Sequence, residues 1–126
     1  MNIEGTAKKV LEKSEWVAIA TSGSDGAHAV ATWSEYIIAL GFREGRLLIP
    51  AGDMHITGEN LKSDNRIELL CATRKVKGEH GPGKGFSIKG TAQMETEGEN
   101  FEAVQARYPW ARAALVVNVE KIEDQL

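Results

Sequence analysis

The sequence predicts a mainly β fold, an antiparallel sheet or barrel with short peripheral helices, and three observations point to it. β-branched and aromatic runs recur along the chain, each bounded by glycines or polar turn clusters. Neighbouring runs are mostly joined by connections too short for the crossover that a parallel pair needs. Segments with helical apolar spacing are short and do not alternate with every strand. At 126 residues the chain matches one domain with one hydrophobic core.

Ile3, Ala7, Val10 and Leu11 recur at helical spacing, with Lys8, Lys9, Glu12 and Lys13 off that face, which predicts an amphipathic first helix. The run from Trp16 to Thr21, the turn cluster from Gly23 to Gly26 and the run from Ala27 to Thr32 read as a hairpin. Glu35 to Leu40 and Arg46 to Ile49 read as two more strands joined through Gly41 to Gly45, with Pro50 ending the second. Thr57 to Asp64 is polar with one apolar stripe, and Thr57 can cap a short helix there.

Arg66 to Thr73 returns to strand. Lys75 to Gly85 holds Gly78, Gly81, Pro82, Gly83 and Gly85 among charged residues, a composition that predicts an exposed, mobile loop. Phe86 to Glu97 alternates as a long strand. Phe101, Val104 and Tyr108 share a helical face within Glu99 to Tyr108, which Pro109 stops. Valine-rich Ala113 to Val119 is the last predicted strand, followed by a polar tail to Leu126.

Composition narrows the function classes. Hydrophobic residues make up 42% and charged residues 26%, the balance of a folded globular chain rather than a disordered one. A formal net charge of −3 argues against an extended nucleic-acid surface, which needs a strongly basic face. Cys71 is the single cysteine, so no intrachain disulfide and no multi-cysteine metal site can form, as suits a reducing cytoplasm. The first residues lack a secretory apolar core, and no stretch approaches the roughly 20 apolar residues of a membrane span. The expectation is a cytoplasmic protein with neither nucleic-acid nor membrane partners.

Four constellations carry candidate chemistry. Trp33 and Tyr36, with Thr32 and Ser34, stand at a strand junction where an aromatic pair can flank a planar ring, or else fill the core or a subunit interface. Pro50 to Thr57 is a glycine-containing turn entering a helix, where free N–H groups and the Thr57 hydroxyl can receive a phosphate, or the threonine can simply cap its own helix. Arg74, Lys75 and Lys77 offer cations to an anionic group or form a solvated strand end. Trp110, in the corner from Tyr108 to Arg112, can reach a neighbouring subunit or pack internally. His28, His55 and His80 have no paired metal-ligand spacing, and neither a P-loop nor a nucleophile elbow is present.

The segments Val17 to Thr21, Thr32-Trp33 with Tyr36, Gly52 with Met54-His55 and Thr57, Arg74 to Val76, Gly81 to Gly83 with Gly85-Phe86, and Trp110 to Val116 occur in order along nearly the whole chain. Together they resemble the small FMN-binding proteins of the pyridoxamine 5′-phosphate oxidase-like split-barrel group. The resemblance implies a six-stranded antiparallel Greek-key split β-barrel and a homodimer with non-covalent FMN near the interface. It implies that Thr32, Trp33 and Tyr36 line the flavin, that Gly52 and Asp53 offer backbone groups beside His55, and that Thr57 holds the phosphate. Trp110 and Leu126 of the partner subunit would cover the ring. The chain departs from the group at Ala31, Ser14 and Ile56, where the relative carries an asparagine, an acidic residue and a phosphate-facing lysine. Lys75 or Arg74 is the cation left to supply that charge.

The function so implied is redox or electron transfer through FMN, with no protein acid or base assigned and no metal. The alternatives are an NAD(P)H-dependent flavin reductase, for which no separate dinucleotide fingerprint is present, and a non-catalytic carrier of flavin or haem. The residues do not name the redox partner.

Overall fold

Alternating inward and outward side chains along the β-branched segments build one seven-stranded antiparallel sheet in the computed structural model, which describes residues 1–126. β1 (Trp16–Gly23) and β2 (Gly26–Trp33) form the expected hairpin, in register from Trp16 opposite Trp33 to Gly23 opposite Gly26. β3 (Phe42–Arg43) and β4 (Arg46–Ala51) form a second hairpin, turning at Glu44 and Gly45, both at positive φ. β5 (Arg66–Gly78), β6 (Gly81–Glu95) and β7 (Ala113–Gln125) run as a meander. The spatial order is β2-β1-β5-β6-β7-β4-β3. The chain leaves β4 beside β7 and crosses to β5, so these four strands make a Greek key.

The mainly β, Greek-key expectation holds, but the sheet has seven strands rather than six, the extra one being the two-residue β3. Four short helices flank it: α1 (Gly5–Lys13), α2 (Ser34–Leu40), α3 (His55–Ser63) and α4 (Glu99–Arg107). No helix is long and apolar enough to cross a membrane.

Three segments differ from the sequence expectation. The stretch read as a strand from Glu35 to Leu40 is α2; a short apolar run does not declare its period, and tertiary contacts decide it. Ile37 is completely buried, the Ser34 hydroxyl ties the helix start to the Ser14 and Glu15 carbonyls, and Gly41 at φ 81° ends it. The predicted loop from Lys75 to Gly85 is mostly paired strand, with Lys77 opposite Pro82 and Gly78 opposite Gly81. Gly78 serves close packing, since a Cβ on it would stand 2.1 Å from the Gly83 carbonyl oxygen, while Gly81 and Gly83 take positive φ at 127° and 121°. The predicted polar tail is the second half of β7, held by backbone pairing to β6 and by a 2.8 Å ion pair between Lys89 and Glu123.

The main core gathers Val10 and Leu11 of α1 with Val17, Ile19, Leu69, Ile88 and Leu115 from the strands. A smaller cluster of Leu48, Val104, Ala111, Ala114 and Val116 lies under α4. β7 is therefore buried on both faces from Ala113 to Val117, which explains its uninterrupted apolar run and anchors the corner just before it.

β7 carries one extra residue, Glu120, opposite the step from Lys89 to Gly90, and a Cβ on Gly90 would stand 1.8 Å from the Asn118 carbonyl oxygen. Gly90→Ala is expected to destabilise the fold by about 1–3 kcal/mol, the usual cost of overpacking a close-packed site. Urea unfolding would read this as a lower midpoint at unchanged slope; an unchanged midpoint would mean that the bulge relaxes freely.

Candidate functional site

β4 ends at Ala51, and Gly52, Asp53 and Met54 turn the chain into α3. Met54 adopts left-handed backbone, φ 67° and ψ 34°, a conformation that costs a residue with a side chain about 1–2 kcal/mol. The turn is held from the opposite side by Arg112. Its backbone N–H donates to Ala51 O at 2.9 Å, its Nε to Gly52 O at 2.8 Å and its Nη2 to Asp53 O at 2.6 Å.

Gly52 lies close under an indole: a Cβ there would stand 3.3 Å from two ring carbons of Trp110. Trp110 belongs to an aromatic triad with Tyr36 and Tyr108, the centroids lying 4.8 Å (Tyr36 to Tyr108), 5.6 Å (Tyr36 to Trp110) and 5.7 Å (Tyr108 to Trp110) apart in tilted geometry. Tyr36 comes from the first turn of α2 and Tyr108 from the end of α4, so three elements fix the indole. Trp110 nonetheless remains 52% exposed.

α3 begins at His55, two residues earlier than expected, and Thr57 lies in its first turn rather than capping it. The helix has no side-chain cap and no acidic residue in that turn, so its N-terminal partial charge is unopposed from within the helix. Thr57 is completely buried, yet its Oγ1 has no hydrogen-bond partner. The carbonyls a helical threonine reaches at i−3 and i−4 already have donors, Met54 O from the Gly58 N–H at 3.0 Å and Asp53 O from Arg112. His55 and Asp53 are exposed, 3.9 Å apart, and the Ile56 side chain is exposed beside them.

Thr32 points inward and is buried, whereas Trp33 is about half exposed opposite an equally exposed Trp16. Trp16 lines a groove of about 780 Å³ with Lys13, Glu15, Leu70, Arg74 and Lys75, within the size range of small-molecule sites. A second groove of about 520 Å³ runs between Arg74, His80 to Gly83 and Leu126. Cys71, inside β5, is no candidate nucleophile, since burial pushes its thiol up, opposed by a hydrogen bond with Ser14.

One chain thus brings Tyr36, Gly52, Asp53, His55, Thr57 and Trp110 to a single corner. Thr32 and Trp33 join it through α2. Lys75 and Leu126 line the two other grooves, away from that corner's turn. The sequence names Tyr108 and Arg112 only as the ends of the Trp110 corner and gives neither a role in the site. A lone arginine bordering a fully buried strand was the available signal, because such a side chain needs acceptors close by.

A family model described as pyridoxamine 5′-phosphate oxidase matches residues 3–126. The chain is 45% identical over 124 residues to a protein of Nitratidesulfovibrio vulgaris (strain Miyazaki F) named FMN-binding protein, spanning 98% of this chain and 99% of the relative. Among solved structures, the H111A form of HupZ from Group A Streptococcus superposes with a TM-score of 0.73 at 19% identity, covering 98% of this chain and 99% of that one. An FMN-binding protein from Syntrophomonas wolfei superposes at 0.63 and 14% identity, covering 94% and 88%. These two structures share the fold.

An unpartnered buried hydroxyl costs stability, about 1–3 kcal/mol from protein mutational data. Thr57→Val keeps the shape and removes the orphan, so the ligand-free protein is expected to gain about 1 kcal/mol in urea unfolding. A loss of stability would show that the hydroxyl has an internal partner.

Proposed function

We propose that this chain, which belongs to the pyridoxamine 5′-phosphate oxidase family, binds one FMN per subunit non-covalently and acts in redox or electron transfer as a homodimer. The observation that carries this is the buried, unpartnered Thr57 hydroxyl in the uncapped first turn of α3. A fold keeps such a donor at a stability cost when something outside the chain accepts from it, and a phosphate suits both the donor and the helix end. The 45% identical relative named for FMN binding supports the same cofactor.

Each residue then has a task. Thr57 and the first amides of α3 receive the phosphate. Ile56 carries no charge, so Arg112 is the cationic side chain at that turn, and His55 adds an exposed imidazole. Gly52 and Asp53 bring backbone close to the cofactor, and Trp33 and Tyr36 shield the ring from water. Bound FMN supplies electron transfer at its isoalloxazine ring, while the protein orients it and sets its surroundings.

The homodimer reading rests on the outward face of β1, β2 and β5. Trp16, Trp33 and Leu70 stand there 53%, 49% and 45% exposed beside the exposed alanines 27, 29 and 31 of β2, an apolar surface that a second copy would cover. Lys75 and Leu126 stand apart from the Gly52 to Thr57 turn of their own chain, and a two-fold partner is the means of bringing Leu126 of the partner subunit to the ring.

Purified protein titrated with FMN is expected to quench flavin fluorescence and to sediment as two 13.7 kDa chains. Thr57→Val should weaken FMN binding roughly 10- to 100-fold, the equivalent of a hydrogen bond to a charged group. Unchanged affinity would put the phosphate elsewhere, and a protein that ignores FMN would overturn the assignment.

A further inference from the structure

Arg112 makes three bonds to three successive carbonyls on a segment about 60 residues away in sequence. Two come from its side chain, and those acceptors, Gly52 O and Asp53 O, lead into the strained Met54 turn. We propose that Arg112 is a positioning residue that confers preference for a phosphorylated flavin over its unphosphorylated form. It does so by holding this turn, and with it the Thr57 hydroxyl and the first amides of α3, in place. The inference rests on the FMN reading above.

Asp53 O lies at the entry to α3, four residues before Thr57, and Nη2 at 2.6 Å gives it a charge-assisted donor. Removing Arg112 leaves two turn carbonyls without their donors, and the start of α3, with the Thr57 hydroxyl, loses the tether that sets its direction. The turn itself loses the bonds that offset left-handed Met54.

Thr57 has no exposed surface, so its hydroxyl meets an anion only after a local adjustment, and the turn that Arg112 holds adjoins it directly in sequence. Lysine cannot replace this arrangement. A single ammonium on a flexible stem lacks the rigid fork that reaches Nε and Nη2 acceptors together. Arg112→Lys therefore separates the fork from the charge.

The test compares dissociation constants for FMN and riboflavin in the wild type, Arg112→Lys, Arg112→Gln, Thr57→Val and the Arg112→Lys/Thr57→Val double variant. The wild type is expected to prefer FMN. Arg112→Lys and Arg112→Gln are each expected to weaken FMN about tenfold, some 1.4 kcal/mol, while riboflavin changes by less than about twofold. In the Thr57→Val background Arg112→Lys should add little, because the two residues act through one donor. An equal fall for both ligands would reduce Arg112 to a general structural role, and full retention of the preference in Arg112→Lys would leave only its charge. Either result overturns the proposal, as does additivity in the double variant. Should Arg112→Lys fail to fold, Arg112→Gln and its double variant with Thr57→Val give the same readout. A wild type that binds both ligands equally would instead overturn the phosphate reading beneath it.

Discussion

Three consecutive carbonyls, those of Ala51, Gly52 and Asp53, accept hydrogen bonds from the single residue Arg112, and the geometry of the candidate site follows from that connection. It ties the exit of β4 to the entry of β7, two strands that pair along their length and are buried by the cores on either side. Because those strands cannot shift without opening both cores, the turn is fixed relative to the most rigid part of the molecule. Trp110, two residues before Arg112, lies over Gly52 and is braced by Tyr36 and Tyr108. The first turn of α3 inherits its direction from the same corner.

What could be read from the sequence divides along physical lines. β1, β2 and the start of β5 were legible because β-branched and aromatic runs bounded by turn clusters favour strand. The region from Glu35 to Leu40 was not, since Tyr36, Ile37, Ile38 and Leu40 form an apolar run that suits either period; contact with β4 and the Ser34 tether select the helix. Gly78 to Gly85 carries the glycine content of a loop, but Gly78 and Gly85 permit two strands to approach more closely than side chains allow, and Gly81 and Gly83 take positive φ. The far half of β7 is polar because Glu123 and Asp124 pair with Lys89 and Lys84 of β6, and no local pattern announces those partners.

The candidate site was legible as segments rather than as an arrangement. Gly52, Thr57, Tyr36 and Trp110 could be singled out by residue type and by resemblance, yet nothing in the linear order shows that Trp110 rests on Gly52 or that Thr57 lacks a partner. The role of Arg112 was not legible because its acceptors are main-chain oxygens, which leave no trace in residue identity. The site also carries an internal cost in Met54 and in the Thr57 hydroxyl. Strain and unsatisfied donors gathered at one turn are what a ligand-binding corner accumulates and a purely structural one sheds.

The proposed role of the Thr57 hydroxyl, kept unpaired for the phosphate of FMN, is decided by a crystal structure of the FMN complex. A phosphate oxygen is expected within hydrogen-bond distance of Thr57 Oγ1, about 2.5–3.0 Å, with Arg112 still bonded to the Gly52 and Asp53 carbonyls. A complex in which the phosphate lies away from the start of α3 and the Thr57 hydroxyl stays buried and unpaired would contradict it.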